Sequence, residues 1–245
     1  MSQIALRMDD VGASTKHFEV YSKKMFGNFL FLKYLSYFRA WGVYEEITAE
    51  MWKRILQILN DNNAKLTVGV TATWVERDST LIPFPEKFPF QADLLKAAEE
   101  DGIIEIANHG LTHCVVGNHL PKPFSSNRTF HREFWDWLPE DLHKEHIHES
   151  QQIFKSWLGK SPIGLIPPGN VYSNATVRAS EENGIKYLNS SSSISMDSHI
   201  NYIDESMVDA FHDREIVLEG IGWLKSKLNY YINQNADFVT LKDLI

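Results

Sequence analysis

One arrangement recurs along the 245 residues and narrows the fold more than any other feature: a short apolar strand, a polar loop, then a helix. Residues 3–8 read as a strand that runs into Asp9 and Asp10. Residues 48–59 read as a helix capped by Thr48, with Met51, Trp52, Ile55, Leu56 and Leu59 at helical spacing. Residues 65–74 are rich in β-branched side chains and are predicted as one strand. A helix over 93–101 is stopped by Gly102, and the strand at 103–107 leads straight into Asn108-His109-Gly110. The pattern repeats with a helix at 139–158 ended by Gly159, a strand at 162–166, a helix at 174–183 ended by Gly184, and strands at 185–188, 207–211 and 237–241. Strands alternating with helices imply parallel strands joined by right-handed crossovers. About seven such units favour closure into an α/β barrel over an open sheet. No Gly-x-Gly-x-x-Gly turn argues for a dinucleotide-binding sheet.

Two stretches break the repeat. Residues 15–46 are crowded with aromatics, among them Phe18, Tyr21, Phe26, Phe29, Phe31, Tyr34, Tyr37, Phe38, Trp41 and Tyr44, and residues 115–137 are polar and aromatic. Segments this long between elements usually carry function or structure of their own. Both are expected as elaborations around the mouth of one catalytic domain spanning 1–245. Packing is the plainer reading of the aromatics at 18–44, and stacking on a sugar the bolder one.

A net charge of −8 disfavours nucleic acid and anionic membrane as partners of the chain as a whole, although a local basic patch is compatible with that total. The single cysteine, Cys114, rules out an internal disulfide and reads as a buried structural residue. The N-terminal residues lack a basic n-region, and no apolar run reaches about 18 residues, so neither a signal peptide nor a transmembrane helix is expected. A cytoplasmic enzyme is the simplest expectation. Oligomeric state is not legible.

The polar residues cluster where chemistry is built. Asp9-Asp10, His109, Pro168-Gly169 and His212-Asp213 all follow predicted strands, and in a parallel barrel the C-terminal strand ends share one face. His109 and His113 stand at i, i+4, a spacing that lets two imidazoles share a cation. The pair alone is a weak signal among ten histidines. Two adjacent carboxylates at a strand end strengthen it, since two imidazoles and one carboxylate leave a coordination position open to water. The bland alternative is that one of the aspartates caps the turn at Val11-Gly12.

In order, Met8-Asp9-Asp10, Asn108-His109-Gly110-Leu111-Thr112-His113, Ile166-Pro167-Pro168-Gly169, Phe211-His212-Asp213 and the closing residues 236–241 resemble the motifs of the polysaccharide deacetylase (NodB-homology) family. The resemblance implies a deformed (β/α)7 barrel and a divalent metal, usually zinc. It further implies Asp10, His109 and His113 as metal ligands, Asp9 as general base, His212 as general acid and the Gly169 N–H as oxyanion donor. The substrate implied is an N-acylated sugar, small or lipid-linked, and the reaction its deacetylation, for instance in the making of a surface polysaccharide such as lipopolysaccharide. A formyl or non-sugar amide, or a non-catalytic carbohydrate binder on the same barrel, are the competing readings.

One departure matters. Ile166 (or Leu165, depending on alignment) stands where the family carries the arginine that pairs with the catalytic aspartate. Arg7 lies two residues before Asp9, on the same side of a strand, and is a substitute for it. The alternative is a solvated strand-start residue. Asp213 is a further possible supporting group. His143, His146 and His148 read as a solvated helix face. Trp74, Trp135, Trp137 and Trp223 are candidate sugar platforms, and Ser190 to Ser193 with Asp197 candidate pocket residues.

Overall fold

The computed structural model describes residues 3–191 and 198–245. Its strands are β1 Gln3–Val11, β2 Leu66–Val70, β3 Thr73–Val75, β4 Leu81–Pro83, β5 Ile104–Asn108, β6 Gly164–Leu165, β7 Tyr187–Asn189, β8 Asn201–Ile203, β9 Val208–His212 and β10 Asp237–Val239. Its helices are α1 Ala49–Asp61, α2 Phe84–Lys87, α3 Pro89–Glu100, α4 Glu140–Leu158, α5 Asn174–Glu182, α6 Asp213–Glu219 and α7 Ile221–Ile232.

Every pairing in the main sheet is parallel. The order runs β1-β2-β5-β6-β7-β8, with β9 and β10 both paired to β1. The result is a curled parallel sheet backed by helices, the deformed (β/α)7 type that the family resemblance implies. Among the described residues no ladder joins β8 to β9, so the curl is not sealed by hydrogen bonds there.

Alternation along β1 sorts its side chains. Leu6 and Met8 turn outward into a core with Trp52, Ile55 and Leu59 of α1, Leu95 of α3, and Leu224 and Leu228 of α7. Burying each such large side chain contributes roughly 1.5–3 kcal/mol. Ala5 turns inward, into a smaller core with Ala107, Ile166, Tyr187, Ile203 and Leu241. Arg7 and Asp9 continue that inward row toward the C-terminal strand ends.

The caps follow the sequence closely. The Thr48 hydroxyl accepts the Met51 N–H at 3.2 Å, and Gly159 closes α4 at φ 77°. Several elements differ from the sequence reading. Residues 65–74 are not one strand: Ala72 and Thr73 donate to the carbonyls of Gly110 and Leu111, which pulls the chain out of the parallel ladder into a β3–β4 hairpin. The strand β8 and the helices α6 and α7 have no counterpart in the sequence reading, although Ile221, Leu224 and Leu228 of α7 stand at helical spacing and enter the core. The histidines of α4 are not uniformly solvated, because α4 packs on α5 and on the second insertion. His143 is buried between the Thr176 hydroxyl and the Trp135 carbonyl, His146 pairs with Glu133, and only His148 is exposed.

Both long stretches fold back over one end of the sheet and are tied together. The buried Lys33 ammonium donates to the carbonyls of Lys122 (2.8 Å) and Ser125 (2.6 Å). Arg128 lies over the rings of Tyr21 and Trp41. Packing does not account for the first insertion's aromatics: Phe26, Phe29, Phe31, Tyr34 and Tyr37 are exposed, whereas Phe18 is buried.

Candidate metal centre and active site

The end of β1 explains how two consecutive residues can serve one cavity. Side chains of adjacent strand residues ordinarily point to opposite faces. Between Met8 and Val11 the register with β2 shifts, and Asp10 takes φ 71°, so Asp9 and Asp10 both face the same pocket. The neighbouring strand β9 places His212 opposite Asp9 in register. On the other side, the pairing of Val70 with Asn108, and of Asn108 with Leu165, brings His109 and Ile166 to the same level.

Asp10 Oδ1 lies 3.3 Å from His109 Nε2 and 3.0 Å from His113 Nε2. One donor atom from each of these three residues falls within 4.8 Å of the others. The far nitrogens are engaged: His109 Nδ1 donates to the Ile166 carbonyl at 2.7 Å, and His113 Nδ1 is 3.2 Å from the Thr15 hydroxyl. Fixing Nδ1 in this way presents Nε2 lone pairs to the shared point, the usual outer-sphere arrangement of metal-ligating histidines. Two imidazoles and a carboxylate suit zinc or a similar divalent cation with room for a water, so the residues fit a catalytic metal.

The electrostatics favour the ligand forms of Asp10 and His113, and the imidazolium of His109. Burial alone would raise the Asp10 carboxyl, but His212 and the hydrogen bonds from His109 and His113 outweigh it and hold Asp10 well below its ordinary range. Burial pushes the His113 imidazole down, towards its neutral form. His109 moves up, because its bond to Asp10 and the charges of Asp9 and Asp10 overcome its burial.

Asp9 is held differently. Its Oδ2 accepts from Arg7 Nη2 at 2.8 Å, while its buried Oδ1 has no hydrogen-bond partner. Arg7 is 2% exposed and its other arm donates to Asn189 Oδ1, so it is not a solvated strand-start residue. Ile166, at the motif arginine's position, packs in the inner core.

Gly169 lies at φ 60° on the cavity wall, where an added Cβ would sit 1.6 Å from Arg132 Nε; only glycine lets that guanidinium cross the turn. His212 also lines the cavity, with Nδ1 3.1 Å from Arg214 Nη2. Arginine only donates, so Nδ1 accepts and the proton of the neutral ring sits on Nε2. Asp213 does not join them. It is wholly buried against Lys16 and the Tyr44 hydroxyl, and burial pushes its carboxyl up to about 7 despite Lys16.

The cavity has a volume of about 300 Å³. Of the eight arginines in the chain, Arg7, Arg128, Arg132 and Arg214 line it. Among the described residues no carboxylate lies within ion-pairing distance of Arg132, whose Nη1 reaches only the His131 carbonyl. The tryptophan on the wall is Trp41; Trp74, Trp135, Trp137 and Trp223 lie elsewhere. Ser191 lines the cavity, while Ser190 bonds the Asn170 carbonyl, and Ser192, Ser193 and Asp197 lie outside the described residues. Cys114 is buried, and burial with the nearby Glu133 charge raises its thiol well above the ordinary value.

Sequence reasoning missed Glu133. Its buried carboxylate accepts the backbone N–H groups of Leu111 (2.9 Å), Thr112 (3.2 Å) and His113 (2.8 Å), and His146 Nδ1 at 2.6 Å. That anchor holds the turn on which His113 adopts φ 61°. The one clue in sequence was an acid amid the aromatic second insertion. Burial would raise this carboxyl, but His146 and the three amides hold it down; His146 is raised by the same contact against its own desolvation. The pair's contribution to stability is therefore lost as pH falls through the lowered Glu133 value, and again as pH rises through the raised His146 value. Glu133→Ala is expected to destabilise the fold by about 3–5 kcal/mol, by orphaning buried donors, read as a lower denaturation midpoint with an unchanged slope.

A polysaccharide deacetylase family model matches residues 40–188. No curated protein sequence matches significantly. Among solved structures, a peptidoglycan N-acetylglucosamine deacetylase bound to 4-naphthalen-1-yl-N-oxidanyl-benzamide superposes with a TM-score of 0.55 at 16% identity, over 98% of this chain and 86% of that one. A CE4 family pseudoenzyme from Bacillus anthracis gives 0.53 at 12% identity, over 99% and 65%. The CE4 domain of a multidomain xylanase from the hindgut metagenome of Trinervitermes trinervoides gives 0.51 at 14% identity, over 99% and 89%. The chain spans 37% of the length of a Mycobacterium smegmatis relative and 65% of the Bacillus anthracis protein. The superpositions show a shared fold, and the family model covers more than half of the chain: this chain belongs to the polysaccharide deacetylase family.

Proposed function

We propose that this chain hydrolyses the N-acyl amide of a sugar, with a divalent cation, zinc foremost, held by Asp10, His109 and His113. The observation that carries the reading is the bulge at the end of β1, which turns Asp10 to two imidazole Nε2 atoms and Asp9 to the same cavity. A cation held there supplies a Lewis acid for the amide carbonyl and acidifies a water. Asp9, with Oδ1 unpartnered, takes the proton of the attacking water, and His212, which must enter the step as the imidazolium with Arg214 withdrawn from Nδ1, returns the Nε2 proton to the departing amine. The Gly169 turn lies on the wall where carbonyl charge develops, and Arg132 adds a guanidinium beside it.

Arg7, Arg128 and Arg214 are paired with Asp9, Glu19 and Glu215, which leaves Arg132 as the cavity cation that would favour a sugar bearing an anionic group, such as the phosphate of a lipid-linked or nucleotide-linked sugar. Formyl and acetyl groups pose the same chemistry. The test is release of free acid from N-acylated sugar phosphates by zinc-loaded protein. No release from any of them, with zinc bound, would leave a carbohydrate binder on this barrel.

Arg7 takes the role of the missing motif arginine in this reading, as a positioning residue for Asp9. Arg7→Ala is expected to lower kcat at least tenfold with little change in KM, and to cost about 3–5 kcal/mol by stranding a buried carboxylate. Arg7→Lys, which keeps the charge, should recover part of kcat. Unchanged kcat in Arg7→Ala would refute the role.

A further inference from the structure

Between Glu19 and Glu45 the chain has no acidic residue, yet it holds Lys23, Lys24, Lys33 and Arg39 in a protein of net charge −8. The same span exposes Met25 (80%), Phe26 (66%), Phe31 (64%) and Tyr37 (72%), and beside them Phe29, Leu30, Tyr34 and Leu35 are 45–50% exposed. From the second insertion Phe124 joins the cluster, its ring 6.4 Å from that of Phe29. Folded proteins seldom leave so many large apolar side chains together in water without a partner.

We infer that this hood is a docking surface for an anionic lipid membrane. The composition selects the partner. Aromatic side chains favour the boundary between hydrocarbon and headgroups, and cations beside them meet anionic headgroups. Lys23, Lys24, Arg39 and Lys122 are exposed around the apolar cluster, and no carboxylate within the span opposes them. Lys24 lies over the Tyr37 ring and Lys23 over that of Trp41, so their stems lie along aromatic faces. An interface between protein chains would gain from acids to pair with these cations, and the span supplies none. Lys33 is not part of the contact, being buried as the tie between the two insertions.

The hood is also placed for such a role. Trp41, at its base, lines the catalytic cavity together with Arg128, which lies over it. The insertion that carries Phe26 and Phe31 thus also supplies a wall of the cavity. Whole-chain charge conceals this patch, because the acids are distributed elsewhere. No described helix is long and apolar enough to cross a membrane, so the contact is with one face of the bilayer.

The inference stands apart from the hydrolase reading and is tested without turnover. The full chain is sedimented with phosphatidylcholine vesicles, with and without phosphatidylglycerol. Binding is expected with phosphatidylglycerol, weakened by salt, and reduced at least roughly tenfold both in Phe26→Ser/Phe31→Ser and in Lys23→Glu/Lys24→Glu. These residues are exposed, and an unchanged melting temperature will show that the variants fold. His113→Ala should sediment like the wild type, which separates this result from any failure of catalysis. Absence of vesicle binding, or binding indifferent to both double variants, overturns the inference. So does a concentration-dependent dimer that Phe26→Ser/Phe31→Ser dissociates while vesicles are ignored, which would assign the hood to a second copy of the chain.

Discussion

His113→Ala is expected to reduce bound zinc from about one ion per chain to background, and to abolish acyl release. Three side chains converge on the site, and removing one leaves an imidazole and a carboxylate, too few to retain a catalytic cation against buffer. Loss of a supporting partner of a metal ligand typically costs about 10–100-fold in affinity or activity, and loss of a ligand itself should exceed that. His113 also sits at φ 61°, where alanine is strained by roughly 1–2 kcal/mol. His113→Asn is therefore the better partner variant, since asparagine tolerates that backbone but cannot place a nitrogen where Nε2 was. Elemental analysis after zinc incubation decides it: full metal content in both variants would remove His113 from the centre.

Asp9→Asn should do the reverse, keeping the metal and losing turnover. Proton transfer by a positioned side chain is worth about 10²–10⁴-fold, and kcat is expected to fall within that range. The geometry makes the substitution clean. The Asn carbonyl oxygen can still accept from Arg7 Nη2, so the buried guanidinium keeps a partner, while the amide NH2 takes the place of the unpartnered Oδ1. Zinc content near wild type with kcat lowered a hundredfold or more supports Asp9 as the base. Retained turnover would assign the base elsewhere.

The sequence carried the fold because its punctuation is chemical. Thr48, Gly102, Gly159 and Gly184 mark helix ends by capping and left-handed backbone, and the apolar strands between them are β-branched. The candidate site was legible for the same reason: polar residues after strands had to converge on one face. Strand alternation put Arg7 and Asp9 on one face, and the missing motif arginine at Ile166 singled Arg7 out as the substitute, but a solvated Arg7 fitted the sequence equally well until the structure showed the contact. What stayed hidden depends on long-range contacts. Nothing local marks Glu133 as the acceptor of three amides twenty residues upstream, nor His143 and His146 as buried, since α4 has a charged pattern on either reading. The break at Thr71-Ala72 is imposed by carbonyls of the turn after β5, which no window of ten residues contains. Asp213, a possible supporting group by its place after a strand, is turned by helix α6 to Lys16 instead. The aromatics of the first insertion have the composition of a core, and only the structure shows them facing outward.

The place of β1 in the sheet has a bearing on synthesis. Gln3–Val11 lies between β2 and β9 and also pairs β10, so partners from Val208–His212 and Asp237–Val239 emerge some two hundred residues after it. At about 5–20 residues per second, the ribosome needs roughly 10–40 s to deliver them. Throughout that interval a strand bearing Leu6 and Met8 has one edge without its native neighbours, which makes it a natural client for nascent-chain chaperones. The same topology makes the last strands late arrivals: until β9 is in place, His212 is absent from its position opposite Asp9, although Asp10, His109 and His113 have already been made.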